Sequence, residues 1–231
     1  MENVSRQEEI LKYLTKSHFA SIAELAQILY TSEATVRRDI AKLEAKGTLR
    51  SVYGGVVITD YESESMPIYL RDRENSVKKE RIAEEAAKNI ADNTTVFLDS
   101  SSTVRRMCKY IKSRKNLTVV TNNLRILNEL KDSDVKLICT GGTLAKEDDC
   151  FIGYAAEDFL RKMRFDAAFF SSRGISECGD ITDSHEGELS VRLAALAQAK
   201  EKYFLADSSK CGKEYPYVLC NLGDITGSFI L

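Results

Sequence analysis

The chain has 231 residues, 43% of them hydrophobic and 29% charged, the composition of an ordinary globular protein with room for one large or two modest domains. A formal net charge of −2 excludes a uniformly basic nucleic-acid binder, so any DNA face must be a local patch. No apolar run is long enough to span a bilayer and no secretory segment opens the chain, so neither membrane association nor export is expected.

Six dispersed cysteines, Cys108, Cys139, Cys150, Cys178, Cys211 and Cys220, form no C-x-x-C pair and fit a reducing cytosol. With only His18 and His185 in the chain, a zinc site has little support. No metal or cofactor is expected.

The first segment places Ile10, Leu11 and Leu14 on one side of a short amphipathic helix. Ser21 and Glu24 then form a capping-box pattern ahead of a second helix, whose face is Ile22, Leu25, Ala26 and Leu29. Tyr30, Thr31 and Ser32 make the turn, with Ser32 as N-cap of a third helix that Gly47 ends. At 100° per residue, Val36, Ile40 and Leu43 share the inner side of that helix. Arg38 points away from them, flanked by Thr35, Arg37 and Lys42. Arginine suits this outer position because its fork bridges guanine O6 and N7 or holds a phosphate. Thr48 to Ile58 reads as two short strands joined by a glycine turn, with Arg50 and Tyr53 placed to touch DNA backbone or minor groove. The pattern predicts a winged helix-turn-helix over residues 1–58.

The run T-S-E-A-T-V-R-R-D-I-A-K-L-E-A-K-G-T-L-R-S-V-Y-G-G-V, residues 31–56, resembles the signature of DeoR-type bacterial transcriptional regulators at nearly every fixed position. The resemblance covers residues 5–58 and implies DNA contacts from Ser32, Thr35, Arg37 and Arg38. Asp39, nearer the packed side, is expected to pair with a neighbouring base. Tyr53 stands where the resemblance often has His.

Residues 59–76 are polar, include Pro67 and lack sustained periodicity, which predicts a linker. From residue 77 to 231 short apolar runs alternate with helical patterns. Strands are expected over 94–99, 117–121, 135–140, 166–172 and 202–207, and helices over 78–91, 103–111, 124–130 and 185–199. This alternation predicts a mostly parallel sheet with helices on both faces. Ligands of such sheets bind beyond the carboxyl ends of the strands. Asp99, Ser100, Ser101, Ser102 and Thr103, then Thr121 and Asn122, Gly141 and Gly142, and finally Lys210 emerge there. Small hydroxyls, amides and glycines near helix N-termini, with one lysine, describe a pocket for a phosphorylated or polyhydroxylated molecule. Each loop alone reads more readily as a helix cap or turn, and it is the convergence of four of them on one edge that describes the pocket.

This half also resembles the DeoR-type sensor domain, in the runs at 98–103, 121–122, 141–144, 152–157, 166–169 and 207–212. The resemblance implies a fold like ribose-5-phosphate isomerase and the CoA transferases, a sugar-phosphate effector, and a homodimer or homotetramer on double-stranded operator DNA. Three departures stand out. Ser101 replaces a usual glycine, and Ser171-Ser-Arg173-Gly-Ile replaces G-A-N-G-I. The chain also ends at residues 226–231, short of a further helix and strand that the resemblance implies. Arg173 either binds an anionic ligand or is a loop arginine held by Glu177 or Asp180. A repressor of a carbohydrate operon is the leading expectation. An isomerase-like enzyme is disfavoured because Asp99, Asp207, Glu177 and Asp180 form no tight acidic pair. A third reading keeps the DNA-binding domain and assigns the larger domain to assembly alone.

Overall fold

The computed structural model describes residues 3–17, 19–46, 48–58, 68–146 and 148–231. The chain divides into two compact units, Met1–Glu74 and Asn75–Leu231.

In the first unit, in chain order, are α1 (Asn3–Ser17), β1 (Phe19–Ala20), α2 (Ile22–Ile28), α3 (Glu33–Ala45), β2 (Leu49–Val52), β3 (Gly55–Ile58) and α4 (Ile68–Arg71). Ile10 and Leu14 of α1, Leu25 of α2 and Val36, Ile40 and Leu43 of α3 close one core with Leu49 and Val56 of the strands. Three stripes at helical spacing therefore meet in one place. The Ser21–Glu24 capping box is formed, with Glu24 N donating to Ser21 Oγ (3.0 Å) and Ser21 N to Glu24 Oε2 (3.3 Å).

The wing has three strands in the order β1-β3-β2, all antiparallel, where the sequence predicts two. β1 is only two residues long, too short to show a period. A Cβ at Gly55 would lie 2.2 Å from the Ala20 carbonyl oxygen, so glycine is what lets β1 lie against β3. Gly54, at φ +89°, turns the chain between β2 and β3.

The segment expected as a linker over 59–76 contains the helical turn α4, and the next helix runs Ser76–Ala87 where 78–91 is expected. Gly47 and Pro67 lie outside the described residues.

The second unit runs α5 (Ser76–Ala87), β4 (Thr95–Leu98), α6 (Ser102–Arg105), α7 (Cys108–Ile111), β5 (Thr118–Thr121), α8 (Leu124–Leu130), β6 (Lys136–Cys139), β7 (Thr143–Ala145), β8 (Cys150–Ile152), α9 (Tyr154–Arg161), β9 (Phe165–Phe170), β10 (Gly174–Ile175), β11 (Asp180–Asp183), α10 (Glu186–Leu196), β12 (Ala199–Ala206), β13 (Tyr217–Asn221) and β14 (Gly227–Ile230). The main sheet has the order β14-β12-β9-β4-β5-β6, every neighbouring pair parallel.

Its strands alternate between two cores. Val96, Leu98, Ala167, Phe169 and Leu205 face one layer, whose helical residues come from α5 to α8. Phe97, Ala168, Phe170, Phe204 and Ala206 face the other, with α9 and α10. Burial on both faces is why these strands read as continuous apolar runs.

Several elements differ from expectation. The helix predicted over 103–111 is two short ones, α6 and α7. The β7–β8 hairpin and the antiparallel sheet β10-β11-β13 are too short or too polar to show a period. β14 adds an edge strand beside β12, with Tyr203 opposite Gly227.

Candidate DNA-reading surface and effector crevice

On α3 the inner side is closed by the core, and the outer side carries Arg37, Arg38 and Lys42, all exposed, with Thr35 half-buried. Ser32 caps the helix. Its Oγ accepts from Thr35 N (3.3 Å) and lies 2.9 Å from Thr35 Oγ1, so the first turn is tied before anything docks on it. Arg37 reaches Glu33 one turn back (3.2 Å); both side chains are exposed, so the pair holds Arg37 only weakly.

Asp39 is buried and accepts from Arg6 Nε of α1 (2.5 Å), the base that its inward position calls for. Ser51 of β2 ties the wing to α3, its N and Oγ donating to the Glu44 carboxylate (2.7 and 3.0 Å). Tyr53 is exposed at the wing tip, its ring 5.4 Å from the Arg73 guanidinium, and Arg50 lies 3.8 Å from Glu74. Ser21, Arg37, Ser51 and Gly54 line one groove between the start of α2, α3 and the wing.

In the second unit the chain leaves β4 towards β5 and β6, then returns through β9 on β4's other side and proceeds to β12 and β14. The carboxyl ends of β4 and β9 thus flank a topological switch point, where the diverging loops of such sheets leave the candidate effector crevice.

Asp99 closes its floor. Its Oδ1 accepts from Ser101 N (2.8 Å), and its Oδ2 accepts from Ser171 N and Arg192 Nε (both 2.9 Å). Both oxygens are used internally, so Asp99 clasps β4 to β9 instead of presenting a carboxylate to a ligand. Thr121 has a similar role: its Oγ1 donates to Leu98 O (2.6 Å) and accepts from Asn123 N (3.0 Å). Ser101 caps α6 through Val104 N (3.1 Å), which explains a serine there. Gly142 is demanded by packing, since a Cβ would sit 2.6 Å from Ile152 O. Beside Gly141 there is open space. Thr103 Oγ1 and Asn122 Oδ1 are buried and make no hydrogen bond among the described residues.

One end of the crevice is cationic. Lys210 Nζ donates to Ser171 Oγ (2.8 Å) and to the Ser172 carbonyl. Lys79, a buried residue of α5, donates to Ser102 Oγ (3.4 Å). Asn75 Nδ2 reaches Asp207 Oδ1 and Lys78 Nζ reaches Ser208 Oγ (both 2.8 Å). Burial would raise the Asp207 carboxyl, but the Ser209 hydroxyl and the charges of Lys210 and Lys79 hold it below its ordinary value.

The other end is a buried ionic cluster. Arg192 of α10 donates to Asp99, to Asp183 (2.8 Å) and to Glu188 (2.9 Å). Burial favours loss of its proton, yet the three carboxylates prevail and raise its pKa. Arg173 belongs here too, beside Asp183, Glu188 and Asp148, and not with Glu177 or Asp180. Asp148, His185 and Glu188 offer donor atoms within 4.8 Å of one another, a geometry that could take a metal ion. The Arg173 guanidinium, 3.7–3.9 Å from two of those carboxylates, already supplies positive charge there.

Lys79, Arg192, Asp148, Asp183 and Glu188 are not among the site residues that the sequence singles out. Lys79 carried a signal, because it shares the stripe of Ile82, Ala83 and Ala86 at i+3, i+4 and i+7. Glu188 and Arg192 look like any solvated i,i+4 pair.

Residues 6–62 match the family described as the DeoR-like helix-turn-helix domain, and residues 74–229 match the DeoR C terminal sensor domain. The HTH-type transcriptional regulator IolR of Bacillus subtilis is 33% identical over 209 residues, covering 90% of this chain and 83% of that protein. The lactose phosphotransferase system repressor of Staphylococcus epidermidis is 31% identical over 229 residues, 97% and 90% of the two chains. An L-fucose operon activator of Haemophilus influenzae is 33% identical over 225 residues, again 97% and 90%. Among solved structures, eIF2B delta of Chaetomium thermophilum has a TM-score of 0.50 at 16% identity, covering 70% of this chain and 58% of that one, a likeness of fold. Ribose 5-phosphate isomerase A of Methanocaldococcus jannaschii has a TM-score of 0.45 at 17% identity, covering 59% and 55%.

Proposed function

The chain belongs to the DeoR family of transcriptional regulators, and on that premise we propose that it represses a carbohydrate-metabolism operon under control of a phosphorylated sugar. Its curated relatives regulate transcription, so the chain is a regulator and not an isomerase-type enzyme. Repression is favoured by the lactose-system relatives; the fucose relative is an activator, so the sign needs its own test.

The observation that carries the reading is α3, closed on one side by the core and lined on the other by Arg37, Arg38 and Lys42 behind the Ser32 cap. In this reading Ser32 and Thr35 meet phosphate or base edges at the helix start. Arg37, Arg38 and Lys42 enter or flank the major groove, and Arg50 and Tyr53 set the wing on the backbone. One such module binds weakly, so a homodimer or homotetramer spanning repeated half-sites is expected.

For the effector, Lys79 and Lys210 with Ser102 and Thr103 form the phosphate end of the crevice, and Gly141, beyond β6 and four strands from β12, is open backbone at its far edge. Ser100, Asn122 and the Arg173 region line the remainder, while Asp99, Ser101, Thr121 and Gly142 hold the loops in place. Electrophoretic mobility shifts on the DNA flanking the gene, at one fixed salt concentration, test the reading. A shifted band that sugar phosphates release supports it. Absence of any sequence-selective shift overturns it. A reporter strain lacking the gene decides the sign, expression rising if the protein represses.

A further inference from the structure

The boundary between the two units falls at one peptide bond, Glu74–Asn75, inside the turn 72–75 that joins α4 to α5. The residues on its two sides have different partners. Arg73 and Glu74 hold the wing: the Arg73 guanidinium lies 5.4 Å from the Tyr53 ring, and Glu74 lies 3.8 Å from Arg50. A Cβ at Gly54 would come 3.6 Å from Arg73 Nη1, so the same guanidinium also reaches the turn of the wing. Tyr53 and Arg50 are the two residues that set the wing on DNA. Arg73 and Tyr53 are exposed, and Arg50 and Glu74 are partly so, which makes each contact weak and cheap to exchange.

Asn75 serves the crevice. Its Nδ2 donates to Asp207 Oδ1 (2.8 Å) and lies 3.3 Å from Ser209 Oγ. Asp207 Oδ1 also accepts from Ser209 N (3.2 Å) and from the Ser209 hydroxyl, so Asn75 shares that oxygen with the turn that carries Lys210. Lys210 and Lys79 act on the same carboxylate through their charge.

The Asn75 backbone is itself held in a costly conformation. At φ +52° it lies in the left-handed region, which a residue with a Cβ seldom adopts. It precedes α5, yet its side chain caps no N–H of that helix. A residue persists in such a well where its surroundings fix it, and here the bond to Asp207 does so.

We propose that Arg73, Glu74 and Asn75 are the relay from effector to DNA: a phosphate held by Lys79 and Lys210 takes the Asn75 amide from Asp207, and the shift of that residue withdraws Arg73 and Glu74 from Tyr53 and Arg50. A phosphate oxygen is a charged acceptor for the amide, and its charge repels the Asp207 carboxylate. A ligand moves an equilibrium only through contacts that differ between the two states, and the exchange at Asn75 supplies one. The proposal rests on the phosphate assignment made for Lys79 and Lys210.

The chain contains no tryptophan, so Tyr53→Trp places a single indole beside Arg73. In the full chain carrying it, inorganic phosphate and glucose 6-phosphate are titrated against sodium chloride of equal ionic strength, with emission and calorimetric binding read together. The emission should shift as binding saturates, because the ring loses its guanidinium neighbour. Asn75→Gly keeps the left-handed backbone and removes the amide, so the phosphate compounds should still bind while the shift disappears. Asn75→Asp, which removes the donor and keeps the shape, should lose the shift as well. In the chain with Tyr53 intact, saturating glucose 6-phosphate should weaken operator binding by about 5- to 150-fold, the usual span of such coupling, and by no more than about twofold after Asn75→Gly.

Binding without an emission shift when Asn75 is intact overturns the relay, as does a full shift retained in both Asn75 variants. Equal weakening of operator binding with and without the Asn75 amide overturns it too. Binding lost in both Asn75 variants makes Asn75 a ligand contact and not a relay. No calorimetric binding of either phosphate compound to the chain with Asn75 intact removes the phosphate assignment itself, and the relay with it.

Discussion

The two units handle charge in opposite ways. In the first, Arg37, Arg38 and Lys42 stay on the surface of α3, where Arg37 forms a weak, exposed pair with Glu33. In the second, Asp99, Asp183, Glu188, Arg173 and Arg192 lie under the loops of the sheet, bonded across up to 93 positions of sequence. A surface that reads a polyanion must keep its cations hydrated and available until contact. A crevice that distinguishes small molecules must fix its polar groups beforehand, and a buried network does so at the risk of instability if any member is lost. The reading unit should therefore tolerate loss of its functional charges without unfolding, and the sensing unit should not.

The most severe test of that contrast is Arg192→Leu. Removing the guanidinium strands Asp99, Asp183 and Glu188 together, and breaking a buried ionic group from one side costs about 3–5 kcal/mol. Urea denaturation of the full chain should show the Asn75–Leu231 unit unfolding at much lower urea, with Arg192→Lys recovering part of the loss. If Arg192→Leu unfolds at the wild-type midpoint, the cluster is not what holds β4 to β9, and the contrast fails.

Arg38→Ala tests the other side. Loss of one groove contact should weaken operator binding by about 1–3 kcal/mol, and Arg37→Ala added to it should abolish selective binding. The unfolding midpoint should stay within about 0.5 kcal/mol of wild type, as for surface changes generally. Fluorescence anisotropy at fixed salt measures the first quantity and urea denaturation the second. A variant that keeps its operator affinity would remove Arg38 from the reading face.

How legible each unit was follows from the range of its contacts. The outward set on α3 comes from a single helix and its 100° step. The Ser32 and Ser21 caps come from patterns three residues long, so local periodicity was enough to place them. The main sheet was legible because both its faces are apolar. The ionic cluster was not: Asp99 and Arg192 meet only after the whole sheet has formed, and nothing near either residue announces the other. Asp99, Thr121 and Gly142 illustrate the same limit from the opposite direction. They stand at strand ends where ligands bind, yet their side chains or backbone are committed to Ser171, Leu98 and Ile152. Position along a strand predicts that a residue lies near a crevice but not which way its bonds point.

Ser32→Ala probes a residue where stability and reading meet. Losing the cap on Thr35 N should cost about 1 kcal/mol. Because the same turn enters the groove, operator affinity should fall as well. Ser32→Asp keeps an acceptor and so restores stability, but it sets a negative charge against DNA. Stability and affinity should therefore separate in the aspartate variant; if both return, Ser32 is only a cap.

The smallest expected effect belongs to Tyr30. It sits at φ +50° between α2 and α3, where Thr31 N closes the end of α2 by bonding Ala26 O (2.9 Å). A residue with a Cβ in this left-handed region is strained by roughly 1–2 kcal/mol, and asparagine tolerates it better than tyrosine. The ring is 95% exposed, so its removal sacrifices little packing. Tyr30→Asn should raise the thermal midpoint of the Met1–Glu74 unit by a few degrees, read by calorimetry on the full chain. Operator affinity then says what the strain is for. Unchanged affinity marks Tyr30 as a tolerated imperfection in a turn, consistent with a reading face confined to α3 and the wing. A loss of affinity alongside a gain in stability would extend that face to the turn, with the ring itself on the DNA backbone.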